Sequence, residues 1–261
     1  MDINFKNQYT LITGADGNLG SETAKQFGSL NSNLILLGTD KKKLLKLSNI
    51  ITSKNAISIE VYECDFLKKN IKIKTIGLIK KKYKKIDNIV HCAAYRGSVL
   101  KNNSISKFPK QDSKNWNDIM NVNVLSIYDL CKELYQLINR SKNPSIINIS
   151  SIHGIYGPDW NIYKNSKMGN SAGYSISKAA LNHLTKWLSK SFKQKVRINT
   201  ISPGGIYNQQ NKSFVRKYIS KTQQKRMAAT KDVVPMIIFL SSNKSLYITG
   251  QNFIIDGGYR E

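Results

Sequence analysis

The chain has 261 residues, 41 lysines and arginines against 16 aspartates and glutamates (formal charge +25), and 40% hydrophobic residues, enough to bury one full α/β core without a second domain. Its three cysteines, Cys64, Cys92 and Cys131, are scattered without Cys-x-x-Cys spacing, which excludes a disulfide framework and reads as buried thiols in a reducing compartment. The basic excess falls in short lysine runs (Lys41–Lys43, Lys68–Lys69, Lys80–Lys82, Lys84–Lys85) on the solvent faces of helix-like segments, with no nucleic-acid recognition motif, so we expect no nucleic-acid partner and an anionic small-molecule substrate fits the charge equally well.

Seven strand-like runs follow in order at 10–13, 34–37, 57–62, 88–92, 145–150, 196–202 and 252–256, alternating with helix-like runs. That alternation predicts an α/β fold, a single-domain Rossmann-like doubly wound parallel sheet of about seven strands with helices on both faces. The expected organisation is one domain over 1–261, with a dinucleotide-binding half at about 1–140 and a catalytic and substrate half at about 141–261. No apolar stretch is long enough to cross a membrane, and the N-terminal residues lack the core of a signal peptide. A cytoplasmic location, no membrane partner and no metal site are therefore expected.

The first strand runs directly into Thr13-Gly14-Ala15-Asp16-Gly17-Asn18-Leu19-Gly20 and then a helix-like stretch. Glycines there let the backbone turn tightly against a pyrophosphate, and the N–H groups and positive dipole end of the helix receive its charge. A tight turn without ligand is the bland alternative.

The chemistry points to Tyr174 and Lys178, four apart and so on one face of a helix whose apolar positions run on through Leu181, Leu184 and Leu188. An ammonium beside a phenol favours phenolate and lowers a pKa ordinarily about 10, giving a usable proton donor and acceptor. Two rival Tyr-x-x-x-Lys pairs exist. Tyr163/Lys167 sits in loop-like composition, and Tyr128/Lys132 lies inside the helix-like run 124–138 without a serine-bearing strand end before it.

Together these residues resemble the short-chain dehydrogenase/reductase family over nearly the whole chain. Its dinucleotide turn corresponds to Thr13, Gly14, Gly17 and Gly20, its adenine-side acid to Asp65 beside Phe66, and its strand-four turn to His91-Cys92-Ala93-Ala94. Asn123, Ser151 at the end of Ile147-Asn148-Ile149-Ser150-Ser151, the Tyr174/Lys178 pair, the Pro203-Gly204 turn and the closing Gly250–Gly258 segment complete the order. The resemblance implies an NAD(P)-dependent oxidoreductase moving a hydride between nicotinamide and a carbonyl or alcohol. Tyr174 would handle the proton, Lys178 lower its pKa and bond the nicotinamide ribose, Ser151 polarise the substrate oxygen, and Asn123 hold a water. Thr13, Gly14, Asn18, Leu19, Gly20, Thr39, Asp65, Phe66, Ala93, Tyr174, Lys178, Pro203 and Gly204 would bind the cofactor. Duller roles stand beside these: a strand-end cap for Ser151, an internal polar contact for Asn123, a solvated helix lysine for Lys178.

Departures from the family pattern carry information. Asn18 replaces a common glycine, and His91, Cys92 and Ala94 replace residues that make polar contacts at the strand-four turn. Ser151 and Tyr174 are 23 residues apart, longer than the family's usual interval, so 157–169 is an insertion bordering the substrate. It looks like a loop of dehydrogenases in bacterial surface-sugar and flagellin-glycan pathways, which implies a sugar or sugar-nucleotide substrate. The segment 206–227 matches the family's lid. At the end of the second strand the usual acid position falls on Gly38, Thr39 follows, and Lys41–Lys43 come next. A vacant acid position, a donor and nearby cations favour NADP over NAD. Relatives commonly assemble as homodimers or homotetramers, and some keep the fold as dinucleotide-binding sensors or scaffolds without turnover, the alternative reading here.

Overall fold

The computed structural model describes residues 3–97, 108, 111, 113, 115–164, 166, 168–192 and 195–259. Seven parallel strands, β1 (Tyr9–Thr13), β2 (Asn33–Gly38), β3 (Ile59–Glu63), β4 (Asn88–His91), β5 (Ser145–Ile149), β6 (Arg197–Pro203) and β7 (Asn252–Ile255), form one sheet in the order β3-β2-β1-β4-β5-β6-β7. Each lies within a residue or two of its predicted run. The largest difference is at β3, where Ile57 N–H turns back onto Asn55 O and Ser58 N–H is held by the Asn33 side chain, so pairing starts only at Ile59.

Near-continuous apolar strands mark a sheet buried on both faces. On one face Leu11, Ile35, Leu37, Ile89, Ile146 and Ile198 pack under α3 (Lys69–Lys82), α5 (Ser126–Glu133) and α8 (Ala172–Ser191). On the other, Ile12, Leu34, Leu36, Val90, Ile147 and Ile201 pack under α1 (Asn18–Ser29), α2 (Lys41–Thr52) and α10 (Thr230–Ser241). The alternation of the two sets along each strand is the period of two that a pleated strand imposes.

The predicted continuous helix over 124–138 is instead interrupted. α4 (Trp116–Met120) passes through a π-helical turn (Asn121–Leu125) into α5, and Leu134 breaks the chain before α6 (Tyr135–Asn139). The insertion also holds structure: α7 (Trp160–Tyr163) is capped by Asp159, whose carboxylate accepts from Asn161 N–H at 2.9 Å. α9 (Lys212–Lys221) lies in the segment 206–227, and Ile162, Tyr163, Phe214, Tyr218 and Met227 form a third, smaller core joining that segment to 157–169. No described helix is long and apolar enough to cross a membrane.

Candidate active site

Because all strands run one way, their C-terminal ends share one edge, and the order reverses between β1 and β4, where an open α/β sheet leaves a crevice. The glycine turn lies at that point. Gly14 has φ +63°, and a Cβ on it would lie 2.7 Å from Ala93 N; a Cβ on Gly20 would lie 2.1 Å from Gly14 O. Gly17 caps α1 without a side-chain hydrogen bond, so the first helical N–H groups have no side chain covering them. A cradle this close to the backbone fits a pyrophosphate. Thr13 accepts from Ala93 N–H through Oγ1 at 3.2 Å and braces the strand-four turn. Asp65 and the buried Phe66 sit just past β3, and Pro203-Gly204 just past β6, with Gly204 N–H bonded to Ile255 O at 2.8 Å. Tyr218 closes over that turn, its hydroxyl accepting from Gly205 N–H at 2.5 Å.

At the β2 end an acid comes in from the glycine turn. Thr39, read as a donor to a cofactor phosphate, donates both its N–H (2.8 Å) and its hydroxyl (3.1 Å) to Asp16 Oδ2, which also accepts from Asp40 N–H at 2.9 Å.

The catalytic candidates converge across β5 and α8. Ser171 caps α8 by accepting from Tyr174 N–H, placing Tyr174 in the first turn and Lys178 one turn on. Lys178 is 2% exposed, donates to Ile149 O at 2.7 Å, and holds Nζ 5.7 Å from the Tyr174 ring centroid. A second cation joins it: the Arg96 guanidinium lies 5.4 Å from the same centroid. Burial on its own would raise the Tyr174 pKa, but Lys178 first, then Arg96, with hydrogen bonding from Ser151 and Arg96, outweigh it, and the net shift is downward. Burial also lowers the Lys178 pKa, with the Tyr174 charge opposing it.

The rivals behave otherwise. Burial pushes the Tyr163 phenol up to about 12, and Lys167 lies outside the described residues. Tyr128 sits on the outer side of α5 against Trp187, their ring centroids 6.2 Å apart.

Ser151, 8% exposed, lies two residues past β5 and opens a single 3-10 turn over Ile152–Gly154, accepting from His153 N–H at 3.2 Å. That turn is sewn to α8: Ser150 Oγ donates to Lys178 O (3.0 Å), and Asn182 Nδ2 to Gly154 O (3.2 Å). Asn123, fully buried in the π-helical turn, has its side-chain amide engaged with Tyr95 N–H (2.7 Å), Tyr95 O (2.9 Å) and Ser177 Oγ (2.9 Å). These bonds make Asn123 a brace between the strand-four turn and α8. His91 is buried with neither ring nitrogen paired, and burial takes its pKa down to about 3; the Cys92 thiol is pushed up to about 12.

Arg96, His153 and Asp16 carry no motif of their own, though each lies within three residues of one: Ala93, Ser151 and the glycines. His153 Nε2 lies 3.3 Å from Tyr163 Oη, and burial followed by the Arg96 charge lowers its pKa to about 4. In the segment 206–227, Lys221 pairs with Asp159 at 2.8 Å and Arg226 grips Asp232 with both terminal nitrogens (2.5 and 2.9 Å). Among the described residues no cluster of His, Cys, Asp or Glu has the makings of a metal site.

The family model described as enoyl-(acyl carrier protein) reductase matches residues 14–260. The chain is 28% identical to the post-translational flagellin modification protein A of Campylobacter coli, over 97% of this chain and 98% of that one. It is 31% identical to the 3-oxoacyl-(acyl-carrier-protein) reductase FabG of Rickettsia typhi, covering 98% of each. Among solved structures, a short chain dehydrogenase from Leptospira borgpetersenii with bound NAD+ superposes with TM-score 0.81 at 28% identity, over 98% of this chain and 93% of that one. A short-chain dehydrogenase/reductase titled glucose/ribitol dehydrogenase, from Brucella melitensis, shares the fold at TM-score 0.83 and 23% identity over the full length of both.

Proposed function

This chain belongs to the short-chain dehydrogenase/reductase family, a family of NAD(P)-dependent oxidoreductases, and on that premise we propose that it interconverts a carbonyl and an alcohol on a polar substrate of the keto-sugar or sugar-nucleotide class, the anionic sugar nucleotide in preference. The observation that carries the chemistry is Tyr174, a phenol whose pKa is lowered by Lys178 and Arg96 at the open end of the sheet, with Ser151 beside it. A nicotinamide dinucleotide supplies the hydride donor or acceptor when bound. Tyr174 Oη gives its proton to the substrate oxygen in reduction and takes it back in oxidation. Lys178, fixed by Ile149 O, keeps the resulting phenolate accessible, and the Ser151 hydroxyl holds the substrate oxygen in line. Asn123 keeps the Tyr95–Arg96 segment seated against α8.

The substrate class rests on Arg96, an exposed guanidinium over the reacting phenol, beside a segment 157–169 that the small core of Tyr163 and Phe214 holds in place. Arginine is suited to carboxylate or phosphate. The flagellin-modification relative supports a surface-glycan role. The FabG relatives favour a second reading, a 3-oxoacyl thioester substrate. We further propose a cytoplasmic homodimer or homotetramer. Oxidation of reduced nicotinamide, followed with keto-sugars, keto-sugar nucleotides and an acetoacetyl thioester, separates the readings. Turnover of the keto-sugar nucleotides with a Michaelis constant that rises with ionic strength supports the first, a salt-independent constant on the keto-sugars points to a neutral sugar, and turnover of the thioester alone replaces both. Tight binding of reduced nicotinamide without turnover of any of them points to the sensor.

A further inference from the structure

Gly38 ends β2 at the place where dinucleotide-binding sheets set an acid against the adenosine ribose, and it has no side chain to offer. The space is nevertheless filled. A Cβ on Gly38 would lie 2.4 Å from Asp16 Oδ1 and 2.5 Å from Asp16 Cγ, so the carboxyl group of Asp16 stands where a strand-end side chain would begin. Its orientation is set by the three donors from Thr39 and Asp40, all of them on Oδ2, which leaves Oδ1 outside that clamp. The residue is only partly buried.

We propose that Asp16 reads the adenosine ribose from within the glycine turn, accepting from its 2′- and 3′-hydroxyls, and that the protein takes NAD(H) in preference to NADP(H). The proposal rests on the reading of the chain as a nicotinamide-dependent oxidoreductase. Ribose hydroxyls are donors and suit a carboxylate. A 2′-phosphate offers acceptor oxygens and nearly two negative charges at neutral pH, so it meets repulsion. The groups that would have received that phosphate, the Thr39 hydroxyl and the Thr39 and Asp40 N–H groups, already donate to Asp16. Of the three following lysines, Lys43 pairs with Asp40 at 3.5 Å, while Lys41 and Lys42 are exposed on the first turn of α2. The vacancy at Gly38, which from the sequence favours NADP, is thus what makes room for an acid from elsewhere in the chain.

The test measures equilibrium binding of NADH and of NADPH to the full-length protein by nicotinamide fluorescence, without substrate. The wild type should bind NADH at least about tenfold more tightly. Asp16→Ser should reduce the NADH-to-NADPH affinity ratio by about ten- to a hundredfold, the range of one charge-assisted hydrogen bond. Asp16→Ser combined with Gly38→Asp, which returns a carboxylate to the strand end, should restore the NADH preference. Equal or tighter NADPH binding by the wild type overturns the proposal, and this needs no variant to fold. A ratio unmoved in Asp16→Ser also overturns it, since a merely structural clamp would change both affinities together. If the wild type binds neither dinucleotide, the oxidoreductase reading falls and takes this proposal with it.

Discussion

Gly154→Ala tests how tightly the site geometry is held, at a residue that touches no reacting group. Gly154 ends the turn that carries Ser151 and presses on α8 where Lys178 lies: a Cβ there would sit 2.6 Å from Lys178 C, 2.8 Å from Lys178 O and 2.9 Å from Ala179 N. Ordinary contact begins near 3.4 Å, so the turn and the helix must separate by about 0.8 Å. Neither side yields easily, because Lys178 O is bonded to Ser150 Oγ, and Gly154 is bonded through its N–H to Ser151 O and through its carbonyl to Asn182. The strain should cost about 1–3 kcal/mol, as overpacking does. A displacement near 1 Å between Ser151 and the Tyr174/Lys178 pair should lower kcat by about a hundredfold. Steady-state kinetics on the best substrate of the panel, urea melts and NADH titration read the three effects separately, and the NADH dissociation constant should stay within about twofold. Gly77→Ala, in α3 away from the site, is the control, since nothing lies within 4 Å of a Cβ there; it should leave kinetics unchanged and stability equal or up to about 1 kcal/mol higher. If Gly154→Ala keeps wild-type kcat, the seam between the β5 turn and α8 does not set the geometry of catalysis.

Protons give two further predictions. With the Tyr174 pKa held low by Lys178 and Arg96, reduction, which needs the phenol, should slow as pH rises, while oxidation, which needs the phenolate, should quicken; Arg96→Leu removes one lowering charge and should move both profiles to higher pH, and unmoved profiles would remove Arg96 from the site. Native His91 and His153 stay neutral down to about 3 and about 4, whereas unfolded they take up a proton near 6.5, so the unfolded state binds more protons below 6.5 and stability falls on acidification. From pH 7 to pH 5 the loss should be about 2 kcal/mol for each histidine, and His91→Leu should remove about half of the total; urea midpoints at the two pH values measure it, and equal midpoints would contradict it. Shortening 159–169 to a tight turn should raise the Michaelis constant while leaving NADH affinity alone, because the insertion packs on the lid residues Phe214 and Tyr218 and the glycine turn is held by Ala93 and β2. Wild-type kinetics in that variant would remove the loop from substrate recognition.

The strands were legible because buried parallel strands are short apolar runs with few competing readings, and the edges moved only where a local bond intervened, as at Ile57 and Ser58. The Tyr174/Lys178 pair was legible because helical spacing alone puts both on one face. What escaped was set by tertiary contact. No local pattern says that Asp16 crosses to the end of β2, 23 positions away, or that Arg96 folds over Tyr174. Asn123 stands out in the sequence, but only the fold shows Tyr95 and Ser177 bonded to its amide. The insertion reads as a loop because its helix is a single turn, made by the Asp159 cap and packing on α9.

The most direct test compares three proteins, wild type, Tyr174→Phe and Tyr163→Phe, for oxidation of NADH with the keto-sugar panel and for NADH binding without substrate. The account predicts that all three bind NADH alike, that Tyr163→Phe turns over with at most altered substrate affinity, and that Tyr174→Phe does not turn over at all, since it lacks only the hydroxyl that carries the proton. Wild-type turnover by Tyr174→Phe, or its loss in Tyr163→Phe alone, would contradict it.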